Sequence, residues 1–289
     1  MSADTLALTG IVHGLDEAEY HARPELSSTG ARQLLDSPAR FHYAQSHPEP
    51  QKDAFDLGSA THAKVLGTGS KVITYPPEHL TPSGNASTKA ATVEWVTEQR
   101  ANGLVVISAA QARHVEGMSE AVLAHPEARA LLEQDGNDRE VSMFAKDPET
   151  EVEMRARFDL YADIAGDLKS ARDASPKGFE RAIRQHGYDV QQGWYQDVRE
   201  LITGERGQFR FIAVESFPPY LVAVYKLDYS YEDMGKVKAL AARMTYRQCL
   251  DEHTWPGYDL GVKEIQPSQS AIYDYMDEFE NDEPITFGE

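Results

Sequence analysis

The sequence is poor in cysteine, in basic residues and in long apolar runs. Its single cysteine, Cys249, cannot build a disulfide framework, a cysteine-ligated zinc site or an iron–sulfur cluster. No apolar run reaches the roughly 18 residues that a membrane-spanning helix needs, so we expect no membrane association. The N-terminal stretch also lacks the basic and apolar regions of a secretory signal. These absences favour a globular protein of a reducing cytoplasm.

Charge is both strongly negative and unevenly spread. The 289 residues carry 28 basic and 47 acidic side chains, a net charge of −19, which argues against a nonspecific polyanion binder. Residues 168–210 nevertheless hold eight basic against six acidic side chains, which leaves room for a locally basic surface. Residues 274–289 hold seven acids and no base. We interpret this end as a solvated tail, with a partner-binding or self-shielding segment as the alternative.

The pattern along the chain predicts one α/β domain with a helical N-terminal portion. We expect an irregular lead-in over residues 1–26, the domain over 27–252 and an acidic tail over 253–289. Ser27 and Ser28 can cap a helix, and Pro38 suits the first turn of the next one. In the middle of the chain, REVSMFA and EVEMRARFDLYA alternate apolar and polar residues around the turn sequence DPET, which indicates a β-hairpin.

The candidate chemistry lies on two consecutive predicted strands. Asp159 lies on RARFDLYAD, and Asp167-Leu168-Lys169 lies on the next strand. Alternation places Asp167 and Lys169 on one face and Leu168 in the core. If the strands are neighbours, the two aspartates can bind Mg²⁺ while the lysine stabilises charge on a phosphoryl group, an arrangement suited to phosphodiester hydrolysis. The alternative is a surface ion pair, because chance alone predicts one or two such acid-x-lysine triplets.

Other residues are candidates only in combination. Gln191 and Tyr195 share a helical face by their i, i+4 spacing, although residues 269–273 repeat that pattern in the tail. His62 lies in LGSATHAKVL, where small residues permit close packing and where a core histidine is the ordinary alternative. Glu140 begins the first hairpin strand, a position usually occupied by a solvated acid.

The order of these pieces resembles one family of nucleases. The stretches that carry the resemblance are LSSTGARQLLDSPARFHYA, LGSATHAKVL, REVSMFA, RARFDLYAD, GDLKSARDASPKGFERAI and YDVQQGWY. Together they span about residues 27–227 and resemble the RecE (exonuclease VIII) type of nuclease in the RecB-like branch of the PD-(D/E)XK superfamily. The resemblance implies a restriction-endonuclease-like core, with a central mixed sheet flanked by helices.

The resemblance also implies metal ligands. Asp159 and Asp167 match the metal-binding acids, and His62 matches a motif histidine near or on the metal. Glu140 matches an additional acid found in related members. The implied metal is Mg²⁺, with Mn²⁺ as a substitute. One departure is that Phe158, rather than proline, precedes the first aspartate.

The remaining implied roles concern catalysis. Lys169 matches the catalytic lysine, and Gln191 and Tyr195 match a pair that organises the site and the DNA. Local charge suggests further contacts to DNA phosphates. Arg172 and Lys177 come soon after the metal-site residues in the sequence, together with Arg181 and Arg184, and could contact the phosphate backbone. Arg32 and Arg40, on the two early helices, are candidates to hold a terminal phosphate.

By this resemblance, the expected activity is degradation of linear double-stranded DNA from the 5′ end. The 3′ single strands would pass to a RecT-like annealing protein. The same resemblance implies a ring-shaped homo-oligomer of phage or prophage origin, acting in the cytoplasm of a bacterial host. The alternatives are an endonuclease or single-strand nuclease with the same site, and a non-catalytic acidic phage binding protein.

Overall fold

A computed structural model describes residues 9–47, 53–69, 71–258 and 261–280. The chain forms two units, residues 1–256 and residues 257–289. The second unit contains a short helix, α11 (Gln269–Tyr275), followed by a π-helical turn (Met276–Glu280). Residues 281–289, which carry part of the predicted acidic tail, lie outside the described residues. None of the helices in the described residues is long and apolar enough to cross a membrane.

The first unit contains ten α-helices, one 3₁₀ helix (Pro77–His79) and nine strands among its described residues. The strands are β1 (Gly10–Val12), β2 (Leu26–Ser27), β3 (Val72–Thr74), β4 (Val105–Ile107), β5 (Asp138–Lys146), β6 (Glu153–Tyr161), β7 (Ile164–Ala171), β8 (Gln208–Glu215) and β9 (Val222–Tyr225). The helices are α1 (Glu17–Ala22), α2 (Ser28–Asp36), α3 (Pro38–Ser46), α4 (Asp53–Leu66), α5 (Ala90–Ala101), α6 (Ala109–Ala124), α7 (Pro126–Leu132), α8 (Pro176–His186), α9 (Tyr188–Thr203) and α10 (Tyr229–Glu252).

The main sheet is mixed. Its strand order is β1-β5-β6-β7-β8-β9, in which β7 and β8 run parallel and the other neighbours run antiparallel. Helices α2, α9 and α10 pack on one face, while α4, α6 and α7 pack on the other. This confirms the expected fold class, a central mixed sheet flanked by helices.

Two strands, β2 and β7, pair with the edge of β6 that faces away from β5. At its start, β2 pairs in parallel at Met154 and Arg155. Near its end, β7 pairs through Leu160 and Gly166. Between these points, residues 156–158 pair with β5 and have no strand partner on the opposite edge among the described residues. The sheet therefore forks beside residues 156–158, and the helix that follows β2 begins at this fork.

The crossing of α9 and α10 depends on two glycines. A Cβ atom on Gly235 would lie 2.1 Å from the Asp189 carbonyl oxygen, and one on Gly193 would lie 2.5 Å from the Gly235 carbonyl oxygen. Both distances are impossible for a real side chain, so the helices can approach this closely only with glycine at these positions. The close approach fixes α9 against the sheet, where Trp194 is fully buried.

A buried ion network joins the same two helices to the β5–β6 turn. Arg243 of α10 donates to Asp147 of the turn at 2.6 Å and to Asp197 of α9 at 2.7 Å. The three side chains are each 9% exposed. Loss of the arginine would leave two buried carboxylates without this partner, so the network specifies where the hairpin meets α9.

The expected irregular lead-in is wrong for part of residues 1–26. Strand β1 pairs with β5, and α1 is capped by the Asp16 carboxylate. Tyr20 of α1 is buried and packs on Phe144 of β5. Elements this short show no recognisable periodicity in the sequence. They form because pairing with a distant strand stabilises them. Residues 1–8 lie outside the described residues.

The other expected boundary, at residue 252, falls short of the packed core. Trp255 packs on Phe41, with ring centroids 5.7 Å apart, and stacks on His42 at 4.7 Å. The Ala39 amide donates to the Pro256 carbonyl at 3.1 Å. The segment after α10 thus holds α3 in place.

A small parallel sheet supports α4. Strands β3 and β4 pair, and Val105 and Ile107 of β4 form a cluster with Ala60 of α4 and Val115 of α6. Ala60 is fully buried, and the helix presents His62 two residues later. The small sheet therefore positions the helix that carries the motif histidine.

Candidate active site

Three carboxylates lie side by side on three neighbouring strands. The pairs on either side of Glu140 in the β5–β6 hairpin place it opposite Asp159. On the other side of β6, the Leu160–Gly166 register places Asp167 opposite Asp159. Hairpin pairing and the β6–β7 register thus bring together acids that are up to 27 residues apart in the chain.

Three side chains form a group that could hold a metal ion. Ligand atoms of His62, Glu140 and Asp159 all lie within 4.8 Å of one another. The His62 Nδ1 atom lies 3.3 Å from Asp159 Oδ2, and the imidazole is 28% exposed. The histidine therefore faces the acids instead of being buried in the core. One imidazole nitrogen and carboxylate oxygens are suitable ligands for small divalent cations.

Asp159 occupies an unfavourable environment for a charged group. It is 8% exposed, and burial followed by the nearby Asp167 charge raises its pKa from 3.8 to about 7. His62 and Lys169 oppose this rise in pKa. The Leu168 amide donates to Asp159 Oδ2 at 2.8 Å, which fixes the carboxylate. A buried cluster of acids is destabilised by mutual repulsion, and a divalent cation would offset it, so these residues fit a metal ion.

Asp167 contacts Lys169 and Gln191. Lys169 Nζ lies 2.5 Å from Asp167 Oδ2, and Gln191 Nε2 donates to Asp167 Oδ1 at 2.6 Å. Asp167 is 3% exposed. The lysine also packs over the Tyr188 ring, with Nζ 4.9 Å from its centroid. In this arrangement Asp167 orients the lysine, and its predicted role as a metal ligand stays a prediction.

Helix α9 brings Gln191 and Tyr195 to the site. Tyr195 packs on Phe158 of β6 with ring centroids 4.9 Å apart. Burial raises the pKa of the Tyr195 hydroxyl well above its usual value, so the phenol stays neutral. Trp194 between them donates its indole N–H to the Arg155 carbonyl at 3.0 Å, which ties α9 to β6. The structure thus brings both members of the Q-x-x-x-Y pair to the aspartates.

The site opens into two neighbouring cavities. One, of about 660 Å³, is lined by His62, Glu140, Asp159 and the start of α2 at residues 27–30. The other, of about 620 Å³, is lined by residues that include Lys169, Arg172 and Tyr188. Ser170 lines both cavities, so the cavity of the lysine and that of the metal-binding group are adjacent.

The sequence also matches a known family. Residues 27–262 match the model of the PDDEXK-like domain of unknown function (DUF3799). The chain belongs to this PDDEXK-like family. The match confirms the PD-(D/E)XK resemblance that the order of the motifs indicated. No curated protein matches the chain.

Three solved exonuclease structures show differing degrees of similarity to this chain. A candidate exonuclease from Eubacterium rectale has a TM-score of 0.59 at 13% identity, covering 93% of this chain and all of that one. A phage-related exonuclease from Haemophilus somnus 129PT has a TM-score of 0.32 at 11% identity, covering 81% and 99% of the two chains. An alkaline exonuclease from Laribacter hongkongensis has a TM-score of 0.23 at 16% identity, covering 70% and 95%. The first of these shows the shared fold.

Two predicted phosphate-binding arginines have protein partners. Arg32 donates to the Ser28 carbonyl, the Thr29 hydroxyl and the His186 carbonyl, which joins α2 to the end of α8. Arg40 is exposed and pairs with Asp36 at 2.7 Å. Arg32 therefore has a structural role in this PDDEXK-like fold, and the DNA contacts of both arginines stay predictions.

The other two predicted DNA-binding residues lie on the lysine side of the site. Arg172 follows β7, is exposed and lines the same cavity as Lys169. Lys177 is exposed in the first turn of α8. Both can reach solvent beside the candidate catalytic lysine, and their predicted contact with DNA stays a prediction.

The sequence reasoning missed Arg157. Its Nε atom donates to Glu140 Oε2 at 2.5 Å. Alternation along β6 offered a signal, because Arg157 lies two residues before Asp159 and so shares its face. Glu140 itself has a backbone φ of 54°, which no sequence pattern indicated.

Proposed function

We propose that the protein is a metal-dependent exonuclease that degrades linear double-stranded DNA from the 5′ end and leaves 3′ single strands. The observation that carries this proposal is the row of Glu140, Asp159 and Asp167 across three strands, with Lys169 2.5 Å from Asp167. A PDDEXK-like fold with acids and a lysine at its strands has the groups that phosphodiester hydrolysis requires.

The group of His62, Glu140 and Asp159 would hold the cation, Mg²⁺ or Mn²⁺. The chemistry that a bound divalent cation supplies is Lewis-acid activation of a phosphodiester. The chain provides one imidazole nitrogen and two carboxylates for this purpose. Glu140 and Asp159 together cancel the charge of one divalent cation, which favours its binding over that of a monovalent ion.

Lys169 supplies a positive charge at a fixed place. Its Nζ atom is held by Asp167 and by the Tyr188 ring, and it is 19% exposed on the side of the second cavity. Gln191 donates a hydrogen bond to the other oxygen of Asp167 and so fixes the carboxylate that holds the lysine. The lysine therefore does not need to reorganise when negative charge develops on a phosphoryl oxygen. The ammonium group would donate a hydrogen bond to that oxygen or hold the attacking hydroxide.

The preference for DNA ends is the finer part of the proposal. The support is the resemblance of the motif order to RecE-type nucleases and the exposed cations Arg172 and Lys177 beside the site. The same resemblance supports a ring-shaped homo-oligomer and a RecT-like annealing partner. It also supports a phage or prophage origin of the protein, with action in the cytoplasm of the bacterial host.

The test compares matched linear and covalently closed circular duplexes in Mg²⁺, with either the 5′ or the 3′ ends labelled. We expect release of short products from the linear form only, early loss of the 5′ label and a 3′ overhang that resists further digestion. Lys169→Met serves as the inactive control because it removes the charge while keeping an apolar stem. Cutting of the circle at a similar rate would support the endonuclease alternative with the same residues.

One observation favours a second candidate function. The net charge of −19 suits a non-catalytic phage protein that binds partners through acidic surfaces. Such a protein has no need of Lys169 beside Asp167, which argues for the nuclease. Absence of cleavage of every DNA form in Mg²⁺ and in Mn²⁺ would support the binding protein.

A further inference from the structure

Glu140 adopts a conformation that its surroundings must stabilise. Its φ of 54° lies in the left-handed region, which is uncommon for a residue with a Cβ atom and strained in a strand. Its carboxylate is 18% exposed and belongs to the candidate metal-binding group. The strained backbone turns this side chain toward Asp159, so another contact has to hold it there.

Arg157 makes that contact. Its Nε atom donates to Glu140 Oε2 at 2.5 Å, and the arginine side chain is only 12% exposed. Its Nη1 atom donates to the Leu15 carbonyl at 3.1 Å, and its guanidinium lies 5.4 Å from the centre of the Tyr20 ring. The guanidinium is thus fixed by the β1–α1 segment on one side and holds the glutamate on the other.

We infer that Arg157 is a positioning residue for the metal site: it holds Glu140 as a ligand, and the segment from β1 to α1 holds Arg157 in turn. This inference rests on the proposed metal-dependent function. A carboxylate has lone pairs for two partners, so the hydrogen bond to one oxygen leaves the carboxylate able to bind a cation. Groups that orient metal ligands typically change metal affinity by about 10–100-fold when they are removed.

Arg155 offers a matched control within the same strand. It lies two residues before Arg157, and its guanidinium lies 5.0 Å from the centre of the same Tyr20 ring. Its Nη1 atom donates to the Tyr20 carbonyl at 2.6 Å and also to the Arg23 carbonyl. Arg155 therefore ties the N-terminal segment to β6 as Arg157 does, but its hydrogen bonds go to backbone carbonyls and not to Glu140.

The experiment titrates Mn²⁺ into the full-length protein and into Arg157→Met, Arg157→Lys and Arg155→Met by isothermal calorimetry. We expect Arg157→Met to weaken Mn²⁺ binding by about 10–100-fold, Arg157→Lys to restore part of the affinity and Arg155→Met to stay close to wild type. Circular dichroism checks that each variant is folded. Nuclease assays should show a higher Mn²⁺ concentration for half-maximal rate in Arg157→Met, with kcat largely recovered at saturating Mn²⁺.

Three outcomes would overturn the inference. Unchanged or tighter Mn²⁺ binding in Arg157→Met would show that the arginine does not position a ligand or that it competes with the metal. An equal loss in Arg155→Met would assign the effect to general docking of the N-terminal segment. If the wild-type protein bound no Mn²⁺, the proposed metal site would be disproved. Wild-type protein that binds Mn²⁺ but cleaves no DNA would contradict only the proposed function.

Discussion

Replacement of Asp159 by asparagine should make the metal-free protein more stable at alkaline pH. The variant keeps the side-chain oxygen that accepts from the Leu168 amide and removes the buried charge. Burial and the Asp167 charge raise the pKa of Asp159 from 3.8 to about 7 in the folded state. Because the folded pKa lies above the unfolded one, the folded state holds more protons between these values, and its stability falls as pH rises.

The magnitude follows from the two pKa values. Above pH 7, a rise of about three pKa units costs the folded protein about 4 kcal/mol, at ~1.36 kcal/mol per unit. At pH 5 most of this cost is absent because Asp159 is protonated in the folded state. The stability advantage of Asp159→Asn should therefore grow by about 3 kcal/mol between pH 5 and pH 8.

The assay is urea unfolding in EDTA at several pH values, with Asp163→Asn as the control, since Asp163 is an exposed acid in the β6–β7 turn. Saturating Mn²⁺ should reverse the order at pH 8, because a ligand at about 100 times its Kd stabilises the wild type by ~2.7 kcal/mol and the asparagine variant has lost a ligand. A stability difference that does not change with pH, or a variant less stable at pH 8 in EDTA, would refute the reasoning.

The other predictions concern catalysis, the tail and the core. Lys169→Met should lower kcat by at least about 10²-fold in a variant that circular dichroism shows to be folded, since one charged donor at a developing negative charge is removed; near wild-type turnover would contradict this. Gln191→Leu should lower kcat less, by about 10-fold, because Asp167 loses a donor while the lysine remains, and partial rescue by glutamate would argue against an amide-specific role. Deletion of residues 274–289 should leave thermal stability unchanged and leave or raise the rate on linear DNA at low salt, whereas loss of folding would show a packed tail. Arg243→Met should destabilise the protein by about 3 kcal/mol in chemical unfolding, because two buried carboxylates lose the cation they share, and a loss below about 1 kcal/mol would show that Arg206 on Asp197 and Thr150 on Asp147 are sufficient partners.

The sequence predicted those parts of the fold whose signals are local. The alternation around DPET predicted the β5–β6 hairpin, and Ser27 marked a helix start that the structure confirms. Strands β1 and β2 escaped prediction because two or three residues have no recognisable period, and their pairing partners lie more than 120 residues away. Trp255 was missed for a similar reason, since its packing on Phe41 is a contact between distant segments.

In the candidate site, too, the sequence predicted the features with local signals and missed those that depend on tertiary contacts. Motif order selected Asp159, Asp167 and Lys169, and strand alternation placed the last two on one face, as their ion pair shows. The contacts between these side chains could not be predicted from the sequence, because they depend on the exact strand register and on the left-handed backbone conformation of Glu140. Asp167 contacts Lys169 and Gln191, and this choice of partners depends on side-chain geometry that residue spacing does not encode.

Anomalous diffraction from crystals of the protein grown in Mn²⁺ would test the central claim most directly. The account predicts an anomalous peak at about 2.0–2.3 Å from a His62 nitrogen and from oxygens of Glu140 and Asp159, with Lys169 adjacent to it. A fully occupied Mn²⁺ site elsewhere, with these three side chains turned away from any ion, would contradict it.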